Sequence, residues 1–498
     1  MGVSWTKEQQ QVIDLRDRNI LVSAAAGSGK TAVLVERIIK RITDVNNPVD
    51  IDRLLIVTFT NAAAAEMRER IGAAIEKALE QNPEDEHLLR QMTLIHNAQI
   101  TTIDSFCLYV IRNHFHEIDL EPNFRIGDEG ELKLLKEDVL KQVLAENYEE
   151  PTAEFKDFVE GYAAGRKDDA LSGMILQLFE FSRSYPWPKE WLTSCVKGYD
   201  ITSLEELNQA EWMQPLVENI RMVCADMIKL LQEALALTQL EDGPDMYESA
   251  IRSDLEQYEA LETAQSFTDY YEKIDRISYE ALSRKKFIGD KDKQEQVKAL
   301  RQQVKDATAK LKKQFFFTAP ENMLAQIVQT KPRAEELVRL TMAFAEAFAA
   351  KKQEKNLVDF SDLEHFALQI LVDEETKQAK KTAEEFRDTF EEIMIDEYQD
   401  SNQVQESILT SISRVERGSY NLFMVGDVKQ SIYRFRLARP ELFMEKYDRY
   451  QTDAAGKVEN EQRIDLHKNF RSREEVLSCT NDIFYKIMHR DFGNVEYD

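Results

Sequence analysis

Residues 24–31 read Ala24-Ala25-Ala26-Gly27-Ser28-Gly29-Lys30-Thr31, and the apolar run Ile20-Leu21-Val22 leads straight into them. A short apolar run, a turn of small residues and an amphipathic stretch from Thr31 to about Lys40 is the order strand, phosphate-binding loop, helix. Small residues let backbone N–H groups converge on phosphate oxygens, and the helix start adds partial positive charge. In such a loop Lys30 reaches the β- and γ-phosphates and the Thr31 hydroxyl ligates Mg²⁺. The first position is Ala24, where the pattern usually has glycine. With strand and helix in place, nucleotide binding is favoured over ordinary helix capping.

The chain has 498 residues, enough for about two to four domains with a sizeable core. Hydrophobic content of 43% and charged content of 31% describe a globular protein, with no apolar run long enough to span a bilayer. The N-terminus lacks the apolar segment of a secretion signal. Cys107, Cys195, Cys224 and Cys479 are scattered, which argues against structural zinc or a disulfide framework and makes a reducing cytoplasm the simplest home. A net charge of −27 argues against a generic binder that coats DNA with lysines. Nucleic-acid contact must then use a local surface. Arg284 to Lys313, with 11 basic residues against 4 acidic, is one candidate, and a solvated helix face explains it equally well.

Outward from the loop, the N-terminal third alternates strands and helices. Leu54 to Thr58 reads as a buried strand followed by a helix from Ala62 to about Ala78, and Ile100 to Ile103 as a third strand running into a helix near Ser105. Such alternation implies a parallel sheet covered on both faces. From about 117 to 355 the pattern becomes long, mixed-charge helical segments, including Glu131 to Glu146, Gln214 to Thr238, Gln294 to Lys313 and Pro332 to Lys352. Strands return at Glu392 to Ile395 and Leu422 to Val425. The fold expected is α/β: a P-loop, RecA-like parallel-sheet motor domain interrupted by a large, mostly α-helical insertion.

Ile393-Met394-Ile395 delivers Asp396-Glu397, the natural second half of the nucleotide site. Asp396 is placed for magnesium, and Glu397 to orient or deprotonate an attacking water. An acidic turn after a strand is common by itself; the continuation Asp396-Glu397-Tyr398-Gln399-Asp400 is far less so. The third constellation is Gly426-Asp427-Val428-Lys429-Gln430-Ser431-Ile432-Tyr433-Arg434-Phe435-Arg436. Gln430, just past a strand end, is placed to sense a γ-phosphate. Tyr433 and Phe435, interleaved with Arg434 and Arg436, suit a single strand, where stacking contributes about 1–3 kcal/mol per base. The bland reading puts both aromatics in the core. Thr58-Phe59-Thr60-Asn61 supplies a similar cluster after the second strand.

Together these segments resemble the ordered motifs of UvrD/Rep-type superfamily 1 DNA helicases. The match runs from Thr6-Lys7-Glu8-Gln9 and Ala24 to Thr31, through Thr58 to Met67, Asp396 to Asp400 and Gly426 to Arg436, to Leu466-His467-Lys468-Asn469-Phe470-Arg471-Ser472. Thr102-Ile103-Asp104-Ser105-Phe106-Cys107, the Ser23 to Thr31 loop and the Gly426 to Arg436 segment are most similar to the AddA subunit of AddAB helicase–nucleases. Asp359-Phe360-Ser361-Asp362-Leu363 fits the return from insertion to motor. Phe435 stands where UvrD-type helicases commonly carry Trp, and Leu437 where they carry Gly, which points toward the AddA/RecB branch.

The resemblance implies ATP and Mg²⁺ as cofactors and single- and double-stranded DNA as partners, with an AddB-like subunit completing a heterodimer. It implies that Gln9 reads adenine with Phe470 packed nearby. Ala24, Ala25, Ala26, Gly27, Ser28, Gly29 and Lys30 would hold the phosphates, and Thr31 and Asp396 the magnesium. Glu397 would be the base, with Gln430 and Arg471 at the γ-phosphate. Phe59, Asn61, Tyr433, Phe435 and Arg436 would hold the single strand. The implied domains are a motor domain at 1–116 plus 355–447, a helical insertion at 117–354, and an incomplete stub of a second motor domain at 448–498. In the family the chain continues through further motifs and, in AddA, a nuclease region. The leading expectation is the subunit of an ATP-dependent helicase or translocase that serves double-strand break repair and recombination. Beside it stand a non-catalytic ATP- and DNA-binding fragment and a plain UvrD-type repair helicase without nuclease.

Overall fold

The computed structural model describes residues 4–44, 46–163, 169–452, 458–489 and 496–497. One compact unit comprises Met1–Glu146, Leu176–Lys189 and Met342–Asp498; a second comprises Asn147–Ile175 and Glu190–Thr341. Parts of the expected second-motor stub, at 453–457, 490–495 and 498, lie outside the described residues.

The first unit is built on a seven-stranded sheet. Its strands are β1 (Asn19–Ala24), β2 (Leu54–Thr58), β3 (Gln99–Thr102), β4 (Glu392–Ile395), β5 (Leu422–Gly426), β6 (Gln451–Thr452) and β7 (Glu461–Leu466). They lie in the order β3-β2-β4-β5-β1-β7-β6, and every adjacent pair is parallel. The alternation of side chains sorts the apolar runs onto two faces. Leu21, Leu55, Val57, Ile393, Ile395 and Met424 pack on one side with Phe106, Val110 and Leu368. Ile20, Val22, Leu54, Ile56, Met394 and Phe423 pack on the other with Val33, Ile38 and Ile71. This is the doubly covered α/β architecture expected from the sequence.

The helices beside the strands have local reasons to start where they do. Helix α1 (Lys7–Asp14) opens with a capping box in which the Thr6 and Gln9 side chains and backbones satisfy one another. Helix α2 (Lys30–Ile42) begins at the lysine of the loop, after Gly29 in the left-handed region. Helix α3 (Asn61–Gln81) is capped by Thr60 Oγ1, which accepts the Ala63 N–H at 3.1 Å. Arg37 of α2, fully buried, donates from Nε to Glu392 Oε1 at 3.0 Å and so fastens this helix to the start of β4.

Residues 451–466, expected in the second motor domain, instead supply two strands of this same sheet. β7 lies in register with β1, Asn19 beside Glu461 and Ala24 beside Leu466. Its Gln462, Ile464 and Leu466 point into the core while the residues between them are half-exposed, so no apolar run marks it in the sequence.

In the second unit every regular element among the described residues is a helix. Its core gathers Ile220, Leu231, Tyr258, Phe267, Val297 and Val304. The helix expected to start at Pro332 runs from Pro320, with Pro332 in its interior. Proline there removes one i→i−4 hydrogen bond, a local cost the rest of the helix overrides. The basic stretch Arg284 to Lys313 is partly consumed inside this unit. Arg301 forms a buried pair with Asp254, and Lys293 and Lys298 pair with Asp242 and Glu295.

Candidate nucleotide and nucleic-acid site

Every motif expected to carry chemistry lies at or just beyond the carboxyl ends of the strands, where open α/β sheets bind their ligands. The loop after β1 turns through Gly27 at φ +73° and Gly29 at φ +85°, both in the region that favours glycine. It is held from three sides. Ala25 N–H donates to Leu466 O at 3.1 Å, Gln9 Nε2 to Ser28 O at 3.0 Å, and Phe470 N–H to Gly27 O at 2.9 Å. Asn469, absent from the expected site residues, adds a fourth contact, Nδ2 to Ala26 O at 2.8 Å. A Cβ at Gly27 would come within 2.7 Å of Asn469 Oδ1, so this close approach also requires glycine. Ser28 Oγ is buried with no partner among the described residues, a polar group a phosphate oxygen could satisfy.

Beside the loop, Gln9, Ser28 and Phe470 line a pocket of about 130 Å³ together with Thr6, Leu466 and Lys468. Gln9 Oε1 accepts the Thr6 N–H and its Nε2 donates to Ser28 O, which leaves one N–H and one lone pair free for a flat ligand such as a purine. Phe470 is 62% exposed. Arg471 is exposed, its backbone N–H held by Asn469 Oδ1 at 2.8 Å.

Across the site, Lys30 Nζ donates to Glu397 Oε2 at 3.0 Å, bringing together groups 367 residues apart. Glu397 has φ +51°, an uncommon conformation for a residue with a side chain, and one that clusters at functional sites. Burial and the neighbouring Glu397 carboxylate push Asp396 up to about 6, with Lys30 opposing the shift. A buried carboxylate and the Thr31 hydroxyl are oxygen donors suited to a hard cation that keeps waters and phosphate oxygens as its other ligands. Among the described residues no cluster of three or more His, Cys, Asp or Glu forms a metal cage, so any magnesium here must share its coordination with the nucleotide. Gln430 Nε2 donates to Asp427 Oδ2 at 2.7 Å.

A cleft of about 430 Å³ extends from Asp396, Glu397 and Asp400 to Phe59, Tyr433 and Arg436. Its wall also carries Arg183, Phe360 and Glu364, none of which the motifs marked as site residues. Phe59 and Tyr433 stack with ring centroids 4.5 Å apart, and Tyr433 and Phe435 lie 5.9 Å apart. The Arg436 guanidinium sits 5.3 Å from the Tyr433 ring centre and 5.7 Å from that of Phe435. Phe435 is 76% exposed, which removes the reading that places it in the core. Asn61, the first residue of α3, is also exposed. Arg434 is paired with Glu441 at 2.8 Å, whereas Arg436 makes no salt bridge among the described residues. Leu437, where the resembling helicases carry glycine, has φ +64°, the conformation that glycine adopts without strain.

Residues 5–451 match the UvrD/REP helicase N-terminal domain family. The chain is 52% identical over 99% of its length to the AddA protein of Lachnoclostridium phytofermentans, named there as part of an ATP-dependent helicase/nuclease, and covers 36% of that protein. It is 45% identical over its whole length to the protein of the same name from Clostridium botulinum and 44% identical to that from Bacillus cereus, covering 40% of each. The chain thus spans well under half the length of these relatives. Its sheet, its loop and the motifs along one sheet edge agree with the match, and the chain belongs to the UvrD/REP helicase family.

Proposed function

We propose that this chain is the N-terminal motor portion of an AddA-like helicase–nuclease, which binds ATP with Mg²⁺ and couples its hydrolysis to movement along single-stranded DNA. The observation that carries this reading is the single cleft in which the Lys30–Glu397 pair and the Phe59–Tyr433–Phe435–Arg436 cluster meet through Asp396, Asp400 and the segment after β5. In this reading Gln9 and Phe470 contact adenine, the backbone of residues 24–29 and Lys30 hold the phosphates, and Thr31 and Asp396 hold magnesium. Bound magnesium neutralises charge on the transferring phosphoryl group. Glu397 orients the attacking water and takes its proton. Gln430 and Arg471 contact the γ-phosphate, and Phe59, Asn61, Tyr433, Phe435 and Arg436 hold the strand by stacking and charge.

We assign the first motor domain to residues 1–116 and 355–466, since β7 completes its sheet, and the helical insertion to 117–354. The second motor domain then starts after Leu466, with helix Glu474–Ile487, whose Val476, Ile483 and Tyr485 are exposed, as its first element. In the whole protein, a nuclease region and an AddB-like partner would serve break resection in the cytoplasm.

ATPase activity with and without single-stranded DNA, for this chain and for Lys30→Ala, tests the reading. Turnover stimulated by DNA and lost in the variant is expected. Tight ATP binding without turnover would mark a binding module, and no ATP binding by the unsubstituted chain would remove both readings.

A further inference from the structure

Gln399 lies in the Asp396 to Asp400 motif yet has no part in the roles assigned above. Its side chain is 1% exposed and both polar atoms of its amide are engaged. Nε2 donates to Glu397 Oε2 at 3.0 Å and to Asp400 Oδ2 at 3.2 Å. Oε1 accepts the backbone N–H of Asp427 at 3.0 Å. Asp427 in turn accepts from Gln430 Nε2 at 2.7 Å, and Ser431 Oγ donates to the Gln399 carbonyl at 3.5 Å. The amide therefore stands between the carboxylate that Lys30 holds and the segment that begins the strand-binding cluster. From the far side Gly426 makes room for it: a methyl group there would overlap Gln399 Oε1.

We propose that Gln399 is a positioning residue that couples the nucleotide side of the cleft to the DNA side, a role that rests on the motor reading above. When nucleotide phosphate draws Lys30 away from Glu397, Gln399 remains as the donor that fixes the Glu397 carboxylate. Any shift of that carboxylate is passed through a rigid, buried amide to the Asp427 backbone, and from there to Gln430, Tyr433 and Phe435. Only a side chain with a donor at one atom and an acceptor at the other can do this. Glutamate would set a third carboxylate against Glu397 and Asp400, methionine fills the space without either bond, and asparagine is a methylene too short to span both partners.

The measurement is the affinity of this chain for a fluorescent oligo-dT, with and without a non-hydrolysable ATP analogue, for the unsubstituted protein, Gln399→Met and Gln399→Asn. Nucleotide is expected to change the oligonucleotide affinity by about 5–150-fold in the unsubstituted chain, and by less than about 2-fold in either variant. A purely structural role would lower the melting temperature and both affinities but leave that ratio in place. Retention of the full ratio by both variants, or its absence from an unsubstituted chain that binds both ligands, overturns the proposal. Failure of the unsubstituted chain to bind either ligand overturns the motor reading itself. Gln399→Asn keeps a buried amide and so keeps the test open should Gln399→Met not fold.

Discussion

The two ends of the cleft are prepared in opposite ways. On the nucleotide side the polar groups are already engaged: Lys30 with Glu397, Gln9 with Ser28, Gln430 with Asp427, and the loop itself with Asn469 and Phe470. On the strand side Phe435 and Arg436 stand open to solvent, with nothing to displace. Nucleotide binding is therefore an exchange of partners, and strand binding an addition to a standing surface. Exchange makes the nucleotide side responsive, because whatever a phosphate displaces must move. Addition makes the strand side tolerant, because stacking on exposed rings reads no sequence.

The largest effect should come from breaking the exchange. Glu397→Gln removes both the proposed base and the partner that competes for Lys30. Turnover should fall by about 10²–10⁴, while nucleotide affinity stays level or rises. Phosphate release and binding of a fluorescent nucleotide measure the two separately; an affinity that falls along with the rate would show that the ion pair does not compete with ligand. Next, Phe435→Ala should weaken single-strand binding by about 1–3 kcal/mol and spare nucleotide affinity, as read by oligonucleotide titration. Unchanged DNA affinity would remove the ring from the interface.

A third prediction concerns the cleft wall between the two ends. Burial pushes Glu364 up to about 7 from an ordinary 4.5, helped by Asp104 and opposed by hydrogen bonds from Gln405 and Asn402 and by Arg183. The fold thus holds this carboxyl protonated at pH values where the unfolded chain has released the proton. Its contribution to stability should fall as pH rises from about 4.5 to 7 and stay low above that. Glu364→Gln should therefore gain about 1–3 kcal/mol relative to the unsubstituted chain between about pH 4.5 and about pH 8. Urea melts at the two pH values test this, and a pH-independent difference would rule it out. The smallest effect is expected at the strand-side rim. Leu437→Gly relieves a left-handed backbone at the loss of one half-buried side chain, so stability should change by no more than about 1 kcal/mol, toward stabilisation. A clear drop in melting temperature would show that the Leu437 side chain outweighs the strain.

Much of this could be read from the sequence because the chemistry sits in contiguous runs. Ile20 to Val22, Leu54 to Thr58, Glu392 to Ile395 and Leu422 to Val425 are buried on both faces, so their strands show as largely apolar stretches, and each ends in its motif. β7 escaped because it lies one strand from the sheet edge, with inward Gln462, Ile464 and Leu466 separated by polar residues. Gln399 and Asn469 escaped for another reason. Each lies inside a recognised motif, but its meaning comes from a partner elsewhere in the chain, Asp427 in one case and Ala26 in the other. Motif reading names residues one at a time; contacts between motifs emerge only from the fold.

The register of β1 bears on how the protein is born. Its two neighbours in the sheet are Leu422–Gly426 and Glu461–Leu466, so the strand that leads into the phosphate loop finds no partner until almost all of this sequence has been made. At about 5–20 residues per second, roughly 20–80 s of synthesis separate that strand from its first neighbour. During that interval the nascent chain carries a bare apolar edge, a natural target for holding chaperones and for misassociation between ribosomes on one message. The same delay acts as a safeguard. A translation product that stops short of Phe470 lacks the backbone clamp on Gly27, and is left without a finished cradle for the cell's ATP.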